Sequence, residues 1–522
     1  MVQQFRDARC SFRWKLAGAV ALVALADVLF YGHEPGVTLG LFALAWTIML
    51  ALTRPEVRGG RGSRIALLGA AGFGLALVDD PGPLDWCLFW TAIASASLLP
   101  RHRFDNAIGW AGKLVLHGLV GLGAPAGDLS RLSRLSVRAR RQGSLLALIA
   151  LPVVGGTVFT ALFAGANPLI GRAIAALAPR DAVSVVLHLA FWMLVLLTIW
   201  SSLRPRDTLI TAAALRVEAG EREAMFPVPP LATLILSLVT FNAIFTVQNA
   251  SDIVFLWSGA RLPEEVTLAD YAHRGAYMLI ATALLAGAIV LVVARPGSAG
   301  AQSPLVRRLI TLWIAQNLLL VASSIARTLD YVAAYQLTVW RIAALAWMGL
   351  VAVGLVLILW RMLADRSTRW LINTNAMAAA LVLTGITSAD LGAIAANWNV
   401  RKARTADELD LCYLNRLDAS ALLPVIDLER RAAGPILRER AAWLRTSAMV
   451  QLERQQADWH SWTWRDARRL AAARERLGPN PLKPLPAPYG RSCDGTPNPP
   501  PADEAEAQPA PATPPLTRAP QP

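Results

Sequence analysis

VWRIAALAWMGLVAVGLVLILW, residues 339–360, decides the class of this protein. It holds 22 residues and a single charge, Arg341 at its start. Crossing about 30 Å of hydrocarbon takes about 20 apolar residues, because the backbone must satisfy its own hydrogen bonds there. The rest of the chain repeats the pattern. Apolar stretches lie near 14–31, 36–52, 65–78, 86–99, 144–164, 182–203, 229–247, 271–294, 309–327 and 370–390, giving eleven spans in all. The third and fourth are short and flank the turn Asp79-Asp80-Pro81-Gly82-Pro83. The expected fold is an all-α polytopic membrane helix bundle.

Composition points the same way. Of 522 residues 55% are hydrophobic and 16% charged, and mean hydropathy is +0.43. That excludes a disulfide scaffold, a disordered chain and an ordinary soluble enzyme. The net charge of +14 need not mean a nucleic-acid partner, because its basic residues are sorted by loop. Segments 1–15, 53–64, 100–143, 204–230, 295–308 and 361–369 carry 26 Lys and Arg, and the alternate loops carry 3. Basic loops stay cytoplasmic. The expected topology is an inner-membrane protein with a cytoplasmic N-terminus and a periplasmic C-terminus. The bilayer is its expected partner, with a membrane or periplasmic protein as a possible second. Ala24-Leu25-Ala26 resembles a signal-peptide cleavage site, but the apolar run continues through Tyr31.

Five segments follow: helices one to four (1–99), a cytoplasmic basic segment (100–143), helices five to eleven (144–390), a helical periplasmic domain (391–478) and a Pro-rich tail (479–522). In 100–143, Phe104, Ile108, Ala111, Val115 and Leu122 share one helical face, and Asn106, Lys113 and His117 the other. That pattern predicts a helix in the membrane interface, ahead of Arg131, Arg134, Arg138, Arg140 and Arg141. The periplasmic domain shows a stripe of Leu437, Ala441, Leu444, Ala448 and Leu452. The tail holds 15 prolines in 44 residues and is expected to be extended and disordered. Cys412 and Cys493 fall where disulfides persist, and a bond between them would pin the start of the tail. No Cys-x-x-Cys motif and no histidine pair at metal spacing occurs, so no metal is expected, and nothing calls for a cofactor.

Polar residues inside a membrane are costly and are functional candidates. Gln316, Asn317, Asn373 and Asn375 lie within spans. Gln248, Asp252, His273, Arg274, Arg327, Asp330, Tyr331, Arg341 and Asp390 fall near the outer ends. Asp330 follows Arg327 by three residues and is its nearest carboxylate in sequence. The cluster reads either as a static ion-pair network with amide contacts between helices or as a polar site open to the outside. Gly69-Ala70-Ala71-Gly72-Phe73-Gly74 lies in a span and reads as a close-packing surface; Gly155-Gly156 after Pro152 reads as a kink. No catalytic motif occurs.

A resemblance runs through residues 240–430. Its marks are Val247-Gln248-Asn249 with Asp252, Tyr271-Ala272-His273-Arg274-Gly275-Ala276-Tyr277 and Trp313-Ile314-Ala315-Gln316-Asn317. Arg327-Thr328, Tyr331, Tyr335, Arg341, Trp370-Leu371-Ile372-Asn373, Asn397-Trp398-Asn399-Val400 and Leu409-Asp410-Leu411-Cys412-Tyr413-Leu414 complete them. Together they resemble the bacterial multi-spanning membrane proteins grouped as domains of unknown function 4153/4173. The resemblance implies a bacterial inner-membrane protein and brings no assigned chemistry. The leading expectation is a non-enzymatic membrane sensor or accessory subunit. A small-molecule or ion transporter is the alternative. A transferase acting on lipid-linked substrates, through Asp252 or Asp330, is the third.

Overall fold

A computed structural model describes residues 2–125, 182–206, 230–254, 303–403 and 408–501, with isolated positions 128, 156, 163, 167 and 211. Described elements are helical, and one isolated bridge joins Arg491 and Pro497. In chain order they are α1 Val2–Phe30, α2 Val37–Thr53, α3 Pro55–Gly59, α4 Arg61–Asp79, α5 Pro83–Leu98, α6 Ala107–Leu122, α7 Ala182–Leu203 and α8 Leu231–Asp252. There follow α9 Pro304–Tyr335, α10 Val339–Leu363, α11 Thr368–Ser388, α12 Leu391–Lys402, α13 Leu411–Arg416, α14 Leu422–Arg431, α15 Pro435–Ala457 and α16 Trp464–Leu477. Six of these are long and apolar enough to cross a membrane, namely α4 and α7 to α11; α2 and α6 are shorter apolar helices. The chain is a multi-pass membrane protein. The spans expected at 144–164 and 271–294, the kink at Gly155-Gly156 and the arginines from Arg131 onward fall outside the described residues.

The chain divides into two units. The first joins residues 1–334, 340–389 and 455–467; the second joins 335–339, 390–454 and 468–522. In the first unit Ala19, Leu22, Ala26 and Leu29 of α1 pack with Phe42, Trp46 and Leu50 of α2 and with Phe89 and Ile93 of α5. Ala26 is thus buried inside the continuous helix α1. In lipid, helices associate through close van der Waals packing, which small residues permit. A Cβ at Gly40 of α2 would lie 2.6 Å from the Val78 backbone nitrogen of α4, and one at Gly74 would lie 2.9 Å from Leu44. The glycine-alanine stretch therefore works through Ala70, which is fully buried, and Gly74, while Gly72 meets nothing.

Helix α6 keeps the apolar face expected in 100–143 on the outside. Trp110, Leu114, His117 and Gly121 are its buried positions, and Ile108, Val115, Leu119 and Leu122 are exposed. A Cβ on Gly121 would meet Ser201 of α7 at 2.7 Å. The face carrying His117, which looks polar by residue type, turns inward because Gly121 admits α7, and the apolar face is left outward.

The second unit packs around Ala396, Leu414, Val425, Ala441 and Leu444, with a second cluster of Leu422, Ile426, Leu452, Leu470 and Ala473. Asp390 and Asp410 cap α12 and α13, accepting from the backbone N–H of Ala393 and Tyr413 at 2.8 Å each. The segment after Gly478 is extended, as its prolines dictate, but it is tied down through residue 498. Arg445 donates to the Leu482 carbonyl, Arg491 pairs with Glu439, Arg440 with Asp494, and Ser492 N–H reaches the Thr496 carbonyl at 2.9 Å. A tail so rich in proline builds no core of its own, but arginine pairs hold it on α15 and the disulfide ties it to α13.

Candidate functional site

The polar side chains of α8 and α9 meet one another. Asn242 Nδ2 donates to the Leu309 carbonyl at 3.1 Å, and Gln316 Nε2 donates to Asn242 Oδ1 at 3.1 Å. Two turns further, Asn249 Nδ2 donates to the Gln316 carbonyl at 3.2 Å. Gln248 Nε2 donates to Asp252 Oδ1 at 3.0 Å, and Arg327 forms an ion pair with the same oxygen. Asp252 is 1% exposed and Arg327 6%. The carboxylate that Arg327 meets is therefore Asp252, 75 residues earlier, while Asp330 lies exposed. Asn317 is buried and donates to the Trp313 carbonyl at 2.8 Å within its own helix.

The remaining sequence candidates scatter. The Arg341 guanidinium sits over the Tyr331 ring, 4.2 Å from its centroid. Asp390 belongs to the second unit, where it pairs with Arg469 while capping α12. Asn373 Oδ1 accepts from the Ala107 N–H at 3.0 Å, fastening α11 to the start of α6. Asn375 donates to the Leu371 carbonyl at 2.9 Å. His273 and Arg274 lie outside the described residues. Cys412 and Cys493 form a disulfide with Cα atoms 4.8 Å apart, within the range that disulfide geometry requires.

Other groups escaped the sequence reading. Asp27 of α1 binds His188 of α7 and accepts from Trp192 Nε1 at 2.9 Å, and the Tyr31 ring stacks on His188 at 3.7 Å. An aspartate inside the first apolar run was the available signal. Arg54 is fully buried; its Nη1 donates to the carbonyls of Ser97 at 3.0 Å and Ser202 at 2.9 Å, joining the ends of α2, α5 and α7. Residues 455–467 meet the opposite ends. Arg465 reaches Asp79 at 2.9 Å and Asp80 at 2.7 Å. Val37 N–H donates to the Trp462 carbonyl at 2.6 Å.

The same contact brings two histidines together. The rings of His33 and His460 stack with centroids 3.6 Å apart, and Asp458 Oδ1 is 3.0 Å from His460 Nδ1. These residues are far apart in sequence, so no local spacing could disclose them.

In the second unit two carboxyls titrate low. The Arg491 hydrogen bond holds Glu439 below the usual glutamate range, and the Thr496 N–H does the same for Asp494. Burial pushes Asp418 the other way.

A family model described as Domain of unknown function (DUF4153) matches residues 17–428. No curated protein and no solved structure matches the chain. The chain belongs to the DUF4153 family.

Proposed function

We propose that this is a bacterial inner-membrane protein, N-terminus cytoplasmic and C-terminus periplasmic, working as a non-enzymatic sensor or accessory subunit. Its exported region meets the signal or partner, and its spans anchor that region in the bilayer. One observation carries the reading: the intramembrane polar groups bond to one another. Asp252 and Arg327 are buried together, and Asn242, Asn249 and Gln316 tie α8 to α9. A transporter needs such groups turned toward a path for its solute, and a transferase working through Asp252 needs that carboxylate accessible, whereas it is buried against Arg327. The elaborated chemistry lies instead in residues 391–501, with their disulfide and arginine pairs.

Complementation of a chromosomal deletion tests this. The chain with Arg327→Asp and Asp252→Arg together should accumulate and restore the phenotype, because a static pair works in either order. A chain with both Cys412→Ser and Cys493→Ser should fail to restore it. If the swapped chain accumulates normally and does not complement, the pair belongs to a working site and the sensor reading is wrong.

A further inference from the structure

Where residues 455–467 lie against the turn between α1 and α2, the two chain segments are packed backbone to backbone. A Cβ at Gly36 would fall 2.3 Å from the carbonyl carbon of Ser461, so only glycine allows this approach. Thr38 Oγ1 adds a hydrogen bond to the His460 carbonyl at 3.3 Å. The contact brings the His33 ring parallel to that of His460, with planes 4° apart. His460 is buried and fixed: its backbone N–H and its Nδ1 both lie 3.0 Å from Asp458 Oδ1. Asp458 Oδ1 and His460 Nδ1 thus already stand at close to the separation of two ligands on one metal ion. One donor atom from each of His33, Asp458 and His460 lies within 4.8 Å of the others.

We propose that His33, His460 and Asp458 form a binding site for a divalent transition ion of the Zn2+ type. Two imidazoles and one carboxylate are the donor set of open zinc sites, with water in the fourth position. Nitrogen ligands at 2.0–2.1 Å in tetrahedral geometry stand about 3.4 Å apart. The three donors therefore converge by small movements. His33 is exposed and swings out of its stack on His460, whereas His460 and Asp458 keep their mutual contact. The bound ion clips residues 455–467 to the α1–α2 turn. Asp458 and His460 lie beyond the family-matched stretch, and His33 lies within it. That zinc is the signal read in the periplasm rests on the function proposed above; the site itself rests on the geometry of these three residues.

The test uses the full chain, purified in detergent with a tag free of histidine, so that both faces are open to solvent. Zn2+ is titrated against a chromophoric chelator, and Co2+ serves as the spectroscopic substitute. One Zn2+ per chain is expected, with tetrahedral cobalt bands. His33→Ala should weaken binding by more than about 100-fold and leave the metal-free melting temperature unchanged. Asp458→Asn, which replaces a carboxylate ligand by a neutral amide, should weaken it by more than about 10-fold, since loss of an outer-shell partner alone costs that much. The absence of saturable binding below millimolar Zn2+ overturns the site, as does unchanged affinity in His33→Ala. Either failure leaves the topology and the sensor reading standing, because nothing in this measurement depends on sidedness.

Discussion

Arg327 and Asp252 carry opposite charges in a place where water is excluded, and that sets what their loss costs. Removing one partner leaves the other charge buried and uncompensated, which costs about 3–5 kcal/mol. An exposed pair is worth about 0–1 kcal/mol. Arg327→Ala and Asp252→Ala should therefore each lower the amount of folded protein in membranes severalfold, while Asp330→Ala should leave it unchanged, since Asp330 is exposed. Quantitative blotting of membrane fractions, with solubility in mild detergent as the folding readout, decides this. Equal accumulation of all three variants would show that the pair contributes nothing. The sequence disclosed that Arg327 sits at a costly depth, but not its partner. Helix periodicity reports which residues share a face of one helix; it says nothing of which residue on another helix that face meets. The same limit hid the Asp27–His188 pair and the meeting of His33 with His460.

Helices were the most legible elements, because membrane spans announce themselves by length. Those expected at 182–203, 309–327 and 339–360 appear as Ala182–Leu203, Pro304–Tyr335 and Val339–Leu363. The stripe on α15 was legible too: Ala441, Leu444 and Leu452 are buried. The strap after Gly478 was not, because composition reports whether a segment can build its own core, and this one borrows a surface. Two acidic sites hold it. Arg491 donates to both carboxylate oxygens of Glu439, and Leu485 N–H donates to Oε1 at 3.1 Å. Glu439 titrates below its ordinary value, chiefly through Arg491. A depressed folded-state value means stabilisation present at neutral pH and lost as the pH falls below the usual carboxylate range of about 4. Arg491→Ala should cost on the order of 2 kcal/mol at this contact. The Leu485 amide should then exchange hydrogen faster at pH 7 than in the parent chain. In Glu439→Gln, strap release measured by proteolysis should lose much of its acid dependence. An unchanged Leu485 exchange rate in Arg491→Ala would mean that the Arg491–Glu439 pair does not hold the strap.

Sidedness is a property of the whole chain, and two independent lines meet on it. The first is the distribution of basic residues, 26 on one set of segments and 3 on the alternate loops. The second is which segments touch within the first unit. Residues 455–467 bond to Val37, Asp79 and Asp80, all at loops that the charge count places outside. Arg54 joins the ends of α5 and α7, and Arg307 donates to the Met362 carbonyl at 2.9 Å, all at ends that it places inside. The contacts come from geometry and the count from composition, and among the described residues these contacts do not cross between the two sets. What the contacts leave open is direction, and positive charge supplies that, because basic loops resist translocation. A reporter active only in the periplasm, fused after residue 501 so that the Cys412–Cys493 bond is kept, should be active. The same reporter fused at 130 should be silent, and a cytoplasm-only reporter should give the reverse at both sites. Inverted activities would turn the whole protein over and place the disulfide in a reducing compartment. Activity of one reporter at both sites would mean an even number of spans between 130 and 501, and the eleven-span count would fall while the contacts within the first unit remained.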